Sequence, residues 1–339
     1  MLLTSVAAFA QETLAPVATR DQKVIRRFAL PGDPRGLAVG ADGTVYAGLA
    51  ESQEVIAVDP KSGAVKKRLV LDSAEIASTK ELVTLRTDAA RSRLYIANGS
   101  DESATILSLP DLAVLREITM EGEPIRDAIP DPKGRYVYLL GHEVHVFDKD
   151  GGKELRALPI EDPMAIAPTA NGNHLAVFAT EDFGNTKATV VALYDTKSFK
   201  EVAREPLQTD RTIEGALFAE NDRVLIAFSR DYLFEKPLQS LTSRRPAATF
   251  ASLINSDRAC LPERSGPQAV TLAGSTLIYA ERRCSVSGAF AGTGRVVAPA
   301  SLYGVEAWAI AFDGTSIIAT EPKSGHLTIY RLPRAATVR

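Results

Sequence analysis

A short pattern recurs seven times along this chain of 339 residues. Each copy has a few small or apolar residues, then a turn rich in Gly, Asp or Asn, then a run of β-branched and aromatic residues. In the first copy the turn is Asp42-Gly43. Equivalent strand positions in the seven copies fall at Val45, Leu94, Tyr136, Leu175, Val224, Leu277 and Ile317. A repeat of roughly 40 to 50 residues is typical of folds in which similar units pack side by side.

Each repeat also contains further strands beyond the one that follows this turn. The run from Val55 to Val58 ends in a turn at Asp59, and a third apolar and basic run follows from Val65 to Leu71. Four short antiparallel strands in each unit are typical of a propeller blade. The sequence therefore predicts an all-β fold, a seven-bladed β-propeller of four-stranded antiparallel blades.

The two ends of the chain predict how the propeller is closed. The last repeat stops after its third strand, near Leu332, and an extra strand at residues 23–30 precedes the first repeat. We expect this N-terminal strand to complete the last blade, which would close the propeller and remove exposed sheet edges. Because the repeats run from end to end, residues 23–333 are predicted to form a single domain.

Composition narrows the classes of partner. The chain has 39 basic and 42 acidic residues, so nothing favours nucleic acid or an anionic membrane surface as a partner. No internal run approaches the roughly 20 apolar residues of a membrane span. We expect a monomer whose partner is a protein or a polar small molecule.

The first ten residues are apolar and end in Ala8-Phe9-Ala10. A short apolar stretch followed by a small-x-small site is typical of an export signal, although the usual basic residues at its start are missing. Residues 1–10 are therefore interpreted as the remnant of a signal peptide. The alternative is an apolar N-terminus that arises by chance. The first interpretation predicts a periplasmic or secreted protein.

Two cysteines, Cys260 and Cys284, are the only ones in the chain. In an oxidising compartment they could form a disulfide that closes a loop of about 25 residues and contributes roughly 3 kcal/mol. Two separate thiols are the alternative. No spacing typical of a zinc site or a redox motif accompanies them.

Several turns and strands resemble a known family. Residues 94–100 (LYIANGS), followed by residues 104–109 and the turn at Pro110-Asp111, resemble the YVTN repeat of bacterial surface and periplasmic β-propellers. Residues 32–39 look like the opening of a blade in the same family, and the chain is similar also to lactonase-type propellers. The resemblance covers residues 23–333. It implies a binding scaffold, a lactone hydrolase or the propeller subunit of a quinone-dependent dehydrogenase, and it carries over no catalytic residue.

The innermost strand of each blade lines the axis of a propeller, so a binding site is sought where these strands begin. Two arginines and two carboxylates fall in these positions, with Asp127 one residue further in, and this set would suit an anionic or polar ligand. The alternative is that the polar groups only solvate the opening and pair with one another. The candidate ligand-binding residues are Arg35, Glu81, Arg126, Asp127, Glu214, Gln268 and Trp308.

Motifs for metal, phosphate and nucleophile chemistry are weak. Of the four histidines, only His142 and His145 are close in sequence, and their spacing on a strand points them to opposite faces. No metal site, cofactor or catalytic set is predicted. The sequence favours a non-catalytic binding scaffold, and the alternative is a hydrolase or dehydrogenase subunit with its site in the central funnel.

The segment from Arg230 to Pro267 makes the fifth repeat the longest. Long loops on one face of a repeat fold often carry recognition. A decorated outer strand of the fifth blade is the alternative interpretation.

Overall fold

The computed structural model describes residues 12–18, 23–71, 83–98, 102–184, 186–207, 212–219, 221–228, 232–242, 251–255, 267–273, 276–281, 298–303 and 308–332. These residues form 27 strands and one short helix. Six sheets have four antiparallel strands each, in the arrangement of propeller blades. The protein is therefore an all-β propeller with four-stranded antiparallel blades.

Five of the blades follow one another along the chain. Blade 1 contains β2 (Pro34–Val39), β3 (Val45–Leu49), β4 (Glu54–Val58) and β5 (Val65–Val70). Blade 2 contains β6 (Val83–Thr87), β7 (Arg93–Asn98), β8 (Ser103–Ser108) and β9 (Val114–Thr119). Blade 3 contains β10 (Asp127–Pro130), β11 (Tyr136–Leu140), β12 (Val144–Asp148) and β13 (Glu154–Leu158).

The next two blades include the longest strands of the molecule. Blade 4 contains β14 (Pro163–Pro168), β15 (His174–Phe183), β16 (Thr186–Asp195) and β17 (Glu201–Pro206). Blade 5 contains β18 (Gly215–Ala219), β19 (Val224–Phe228), β20 (Tyr232–Pro237) and β21 (Ala251–Asn255), with helix α1 (Leu238–Thr242) between its last two strands. Much of the segment that stood out as a long insertion thus forms β20, α1 and β21 of blade 5.

The sixth blade joins the two ends of the described chain, and we call it the terminal blade. Strand β1 (Val24–Ala29) pairs antiparallel with β27 (His326–Arg331), so that Phe28 lies opposite Leu327. The other two strands are β25 (Ala309–Phe312) and β26 (Ser316–Glu321). The N-terminal strand thus occupies the outer position of this blade. That the pairing closes the whole propeller stays a prediction.

The sequence predicted seven four-stranded blades, and this number is wrong, because the described residues form six. The residues predicted as the sixth of seven blades form a sheet of three strands, β22 (Pro267–Ala273), β23 (Thr276–Glu281) and β24 (Ala298–Tyr303). Strands β23 and β24 pair parallel, whereas all pairs in the blades are antiparallel. A parallel pair cannot be joined by a tight hairpin, so this unit departs from the four-stranded meander.

The hydrophobic core lies between neighbouring sheets. One cluster joins Val45 and Ile56 of blade 1 to Ile318 and Leu327 of the terminal blade. A second joins blades 2 and 3, and a third joins Phe178 of blade 4 to blade 5. Because both faces of a middle strand are covered, all five residues of β3 are buried. This explains the continuous apolar runs where a half-exposed sheet would alternate.

An N-terminal segment that the sequence did not predict as an element links the terminal blade to blade 1. We call residues 12–18 the strap. Thr13 bridges to Ala64 of blade 1, and Pro16 bridges to Phe28 of β1. The side chain of Leu14 is buried in the core cluster between these two blades. The Arg68 guanidinium donates to both carboxylate oxygens of Glu12, at 2.9 and 2.6 Å.

The predicted disulfide and the predicted signal peptide fall on residues that the structure does not describe. Cys260 and Cys284 lie outside the described residues, as do residues 1–11. Within the described part of the chain, no helix has both the length and the apolar character needed to cross a membrane.

Candidate functional site

The first strands of the sheets lie innermost, because β2 contacts both β6 and β25, β6 contacts β10, β14 contacts β18, and β22 contacts β25. We call the end of the propeller at which these strands begin the upper face, and the other end the lower face. The loops before each first strand and the hairpins between each second and third strand lie on the upper face. Most of the candidate residues selected from sequence fall at this end.

Arg35 and Trp308 come together although they are far apart in sequence. Arg35 is on β2, Trp308 immediately precedes β25, and these two strands belong to adjacent blades. The Arg35 guanidinium carbon lies 4.4 Å from the centroid of the Trp308 ring, which is a cation–π contact. The Arg35 guanidinium also donates to a carboxylate oxygen of Asp33 at 2.8 Å. The pair is fixed on one side, while the Trp308 residue remains 42% exposed.

Thr320 holds the backbone of both partners. Its hydroxyl donates to the Arg35 carbonyl at 2.9 Å, and its own carbonyl accepts from the Trp308 N–H at 2.9 Å. Thr320 is on β26 and is fully buried. Because one buried residue positions both chains, the Arg35–Trp308 pair is pre-organised by the contact between blade 1 and the terminal blade.

Arg126 occupies a different kind of environment. Its guanidinium donates to the Gly141 carbonyl and, at 2.6 Å, to the Pro163 carbonyl. Gly141 belongs to blade 3 and Pro163 begins blade 4, so the side chain joins two blades. Burial lowers the pKa of Arg126 from its usual value, and the charges of Asp162 and Glu123 oppose this shift. The structure therefore directs the hydrogen-bond donors of Arg126 towards backbone carbonyls.

Asp127 pairs with an arginine that sequence reasoning missed. The Arg86 guanidinium donates to both carboxylate oxygens of Asp127, at 3.3 and 2.8 Å. The charge of Asp127 raises the pKa of Arg86. The Arg86 side chain is 51% exposed on the innermost strand β6, whereas the Asp127 residue is buried. The sequence candidates lie where each first strand begins, whereas Arg86 lies near the end of β6.

The remaining candidates are placed less completely. Glu214 is exposed on the upper face, where its N–H donates to the Phe228 carbonyl at 2.9 Å. Gln268 lies at the irregularity in pairing between Pro267 and Ala269 of β22. Glu81 lies outside the described residues. Of the seven candidates, Arg35 and Trp308 are thus the two that contact each other through their described side chains.

The two faces differ in charge. Described loops on the upper face carry nine carboxylates and two basic side chains, whereas the described loops between strands on the lower face carry eight carboxylates and nine basic side chains. Several lower-face aspartates accept hydrogen bonds from their own turns, as Asp42, Asp59 and Asp195 do. The upper-face carboxylates are Asp33, Glu51, Glu102, Glu121, Glu123, Glu143, Glu161, Asp162 and Glu214, and the two basic residues are Arg126 and Lys323.

A hairpin in blade 4 extends beyond its neighbours on the same face. Strands β15 and β16 have ten residues each, but β14 pairs only as far as Ala179 and β17 only as far as Val190. The last rungs of the hairpin therefore project as two strands. The Arg204 guanidinium forms an ion pair with Glu181 and supports this extension from β17.

His145, on β12, forms hydrogen bonds with two carboxylates. The two ring nitrogens of His145 lie 2.7 Å from Glu154 and 2.9 Å from Glu123. The imidazole of His145 is thus held between these two carboxylates. Among the residues that the structure describes, no cluster of three or more His, Cys, Asp or Glu side chains is arranged to hold a metal ion.

Comparisons with known proteins support the fold. No protein-family model matches the chain, and no curated protein sequence matches it. Among solved structures, the β-propeller domain of Cps50 (Swd1) from Myceliophteria thermophila is similar, with a TM-score of 0.65 and 15% sequence identity over 90% of this chain and 99% of that one. At this identity the likeness shows the propeller fold alone. Since one fold hosts many activities, it assigns no function.

Proposed function

We propose that this protein is a non-catalytic propeller that binds a protein partner through its upper face. The exposed indole of Trp308, held against Arg35, is the observation that carries this proposal. Trp and Arg are enriched among the residues that contribute most to binding at protein interfaces. A rigid aromatic group that is already positioned also loses little conformational entropy on binding.

The fold is consistent with such a role. Propellers commonly serve as scaffolds for protein interaction, and the loops between their strands can vary while the blades stay constant. Here the upper face also carries the projecting hairpin formed by β15 and β16 of blade 4. A partner that spans the face could contact both features.

The function is tested by mild crosslinking of the protein in the cells that produce it, followed by affinity purification and mass spectrometry. We expect a stoichiometric protein partner with the native chain and a strong reduction in its recovery with Trp308→Ala. Leu155→Ala is the matched control, because Leu155 is also 42% exposed but lies on the outer strand β13. With Leu155→Ala, the partner should be recovered at the same level as with the native chain.

Two outcomes would contradict the proposal. Recovery of the partner at equal levels with Trp308→Ala would exclude this face as the anchor. Recovery of the chain alone would favour the catalytic alternative, and a screen of lactone substrates with Arg126→Ala and Glu214→Ala variants would then be the next experiment.

We also propose that the protein is exported and that β1 closes the propeller. Cleavage after Ala10 would leave the strap and its Glu12 to Arg68 ion pair intact. Sequencing the N-terminus of the protein from the cell envelope should find Gln11 first. A chain that retains Met1 or begins within the strap would contradict this cleavage site.

A further inference from the structure

The charge of the upper face narrows the class of partner. This inference rests on the proposed binding through that face and concerns the chemistry of what is bound. Nine carboxylates and two basic groups occupy the described upper loops, and the lower loops are nearly balanced. A face with this excess attracts cationic groups and repels anionic ones over about one Debye length, roughly 8 Å at physiological salt.

The arginines at this end do not reverse that preference. Arg35 donates to Asp33, so its positive charge is matched by an adjacent carboxylate. Arg126 directs its donors to the carbonyls of Gly141 and Pro163 between two blades. The anionic ligand that two arginines would suit from sequence alone is therefore disfavoured by their surroundings.

Trp308 supplies a group that binds cations directly. Its ring already holds the Arg35 guanidinium at 4.4 Å. Tryptophan is the strongest of the aromatic side chains in cation–π contacts, and arginine is the most frequent partner. An exposed indole on the same face as these acidic loops can thus combine a short-range contact with long-range attraction for the same charge.

We propose that the upper face binds a basic segment of a partner protein, with Trp308 as the anchor for an Arg or Lys side chain. The carboxylates of the upper-face loops provide the complementary charge, which raises the rate of association and disfavours acidic partners. Glu161 and Asp162, in the loop before β14, are exposed carboxylates of this kind. The segment is a flexible or extended stretch of chain, because the acidic loops are distributed around several blades.

The inference is tested with two short labelled peptides, one in which Arg alternates with Gly and one in which Glu alternates with Gly. Binding to the full chain is measured by fluorescence anisotropy. We expect the Arg peptide to bind at least about ten-fold more tightly than the Glu peptide at low salt, and to lose affinity towards 1 M salt, where the Debye length is about 3 Å. Equal binding of the two peptides would overturn the inference.

Variants separate the anchor from the general charge. Trp308→Ala should weaken the Arg peptide by about five-fold or more, which is within the range of one cation–π contact. The affinity of Trp308→Phe for the Arg peptide should lie between those of the native chain and Trp308→Ala. This variant also serves as a control in case the alanine variant misfolds. The double variant Glu161→Gln with Asp162→Asn should weaken binding and reduce its salt dependence, whereas Asp111→Asn on the lower face should leave both unchanged. An unchanged affinity in both Trp308 variants would contradict the proposal that Trp308 is the anchor.

The two proposals fail in different ways. A crosslinked partner that depends on Trp308 but does not compete with the Arg peptide would leave the binding function in place and exclude the basic segment. Absence of any partner that depends on Trp308 would instead contradict the binding function itself.

Discussion

At the scale of single residues, Gly63 shows why certain turns of this propeller require glycine. It has a φ of +77°, and a Cβ at this position would lie 2.6 Å from the ring of Phe28 and 3.3 Å from the Leu14 carbonyl. Gly43 has a similar φ of +79°, but nothing lies within 4 Å of its Cβ position. Alanine substitutions at Gly63 and Gly43 can therefore separate the cost of backbone strain from the cost of steric overlap.

We expect Gly43→Ala to lower the free energy of unfolding by about 1 kcal/mol through the left-handed backbone alone. Gly63→Ala should lower it by about 1 to 3 kcal/mol more, since Phe28 and the strap must also shift. Urea denaturation of both variants measures the difference. Equal losses of unfolding free energy in the two variants would show that the strap and Phe28 can shift without an energetic cost.

Asp195 is a residue whose contribution depends on pH. Hydrogen bonds from the Ser198 N–H at 2.8 Å and the Ser198 hydroxyl at 2.7 Å lower the pKa of this carboxyl below its usual value. A carboxyl with a lowered folded pKa stabilises the protein above its unfolded pKa, near 3.9, and this contribution disappears as the pH falls through the folded value.

Asp195→Ala should therefore reduce the thermal midpoint at neutral pH, and the gap from the native protein should narrow as the pH falls below about 4. Asp182→Ala is the control, because that side chain is 71% exposed and its nearest cation, Lys187, is 3.9 Å away. A gap that stays constant down to low pH would assign the effect to the turn geometry and not to the charge.

At the scale of elements, the strap acts on two blades at once. Leu14 is 4% exposed in a cluster that includes Phe28 and Val65. We expect Leu14→Ala to cost about 2 to 5 kcal/mol, as other buried leucines do. Limited proteolysis should then release the N-terminal segment faster than in the native chain or in Leu155→Ala. Unchanged protection would show that backbone contacts alone hold the strap.

Arg126 is a second element-scale contact, since it joins blades 3 and 4 through two carbonyls. Arg126→Ala leaves these carbonyls without their donor and should lower the free energy of unfolding by about 1 to 3 kcal/mol. A purely ligand-binding arginine would leave stability unchanged. Chemical denaturation thus decides whether Arg126 stabilises the fold or is available to bind a ligand in the central funnel.

Turn chemistry explains which elements could be predicted. Asp42-Gly43 and the apolar run after it identify β3, because that turn needs a left-handed residue and the strand is buried on both faces. The strap could not be predicted, since residues 12–18 lack an alternating pattern and pair through only isolated bridges. The parallel pairing of β23 and β24 was missed because local pattern does not encode strand direction.

At the scale of the whole molecule, part of the candidate site could be predicted because the repeats impose equivalent positions. Arg35 and Trp308 were selected from equivalent positions in the first and last repeats, and the contact between those blades brings them together. The roles of Arg126 and Asp127 could not be predicted, because Pro163, which accepts from Arg126, and Arg86, which pairs with Asp127, lie on neighbouring blades. A repeat alignment gives the position of a side chain along a strand and not the direction in which it extends.

The strap and β1 connect the terminal blade to blade 1 and cover the edge of β27. Removing residues 1–30 deletes β1 and the strap, which leaves the terminal blade with three strands and exposes the edge of β27. We expect a lower thermal midpoint and a tendency to aggregate. Removing residues 1–11 is the control and should change neither property.

A synthetic peptide of residues 12–30 should restore the thermal midpoint of the shortened chain when it is added in excess. Binding to the folded state alone stabilises a protein by mass action. No recovery at high peptide concentration would show that β1 and the strap contribute little once the other strands have formed.

The pairing of β1 with β27 has a consequence for biosynthesis. The Arg27 side chain donates to the Thr328 hydroxyl across 301 residues of sequence, so β1 finds its partner only after β27 has been synthesised. At 5 to 20 residues per second this interval is roughly 15 to 60 s. During that time β1 is an unpaired strand, and Arg26 and Arg27 within it are the kind of charges that discourage pairing with other nascent chains. The terminal blade is thus completed only after β27 has been synthesised, in whichever compartment the chain has then reached.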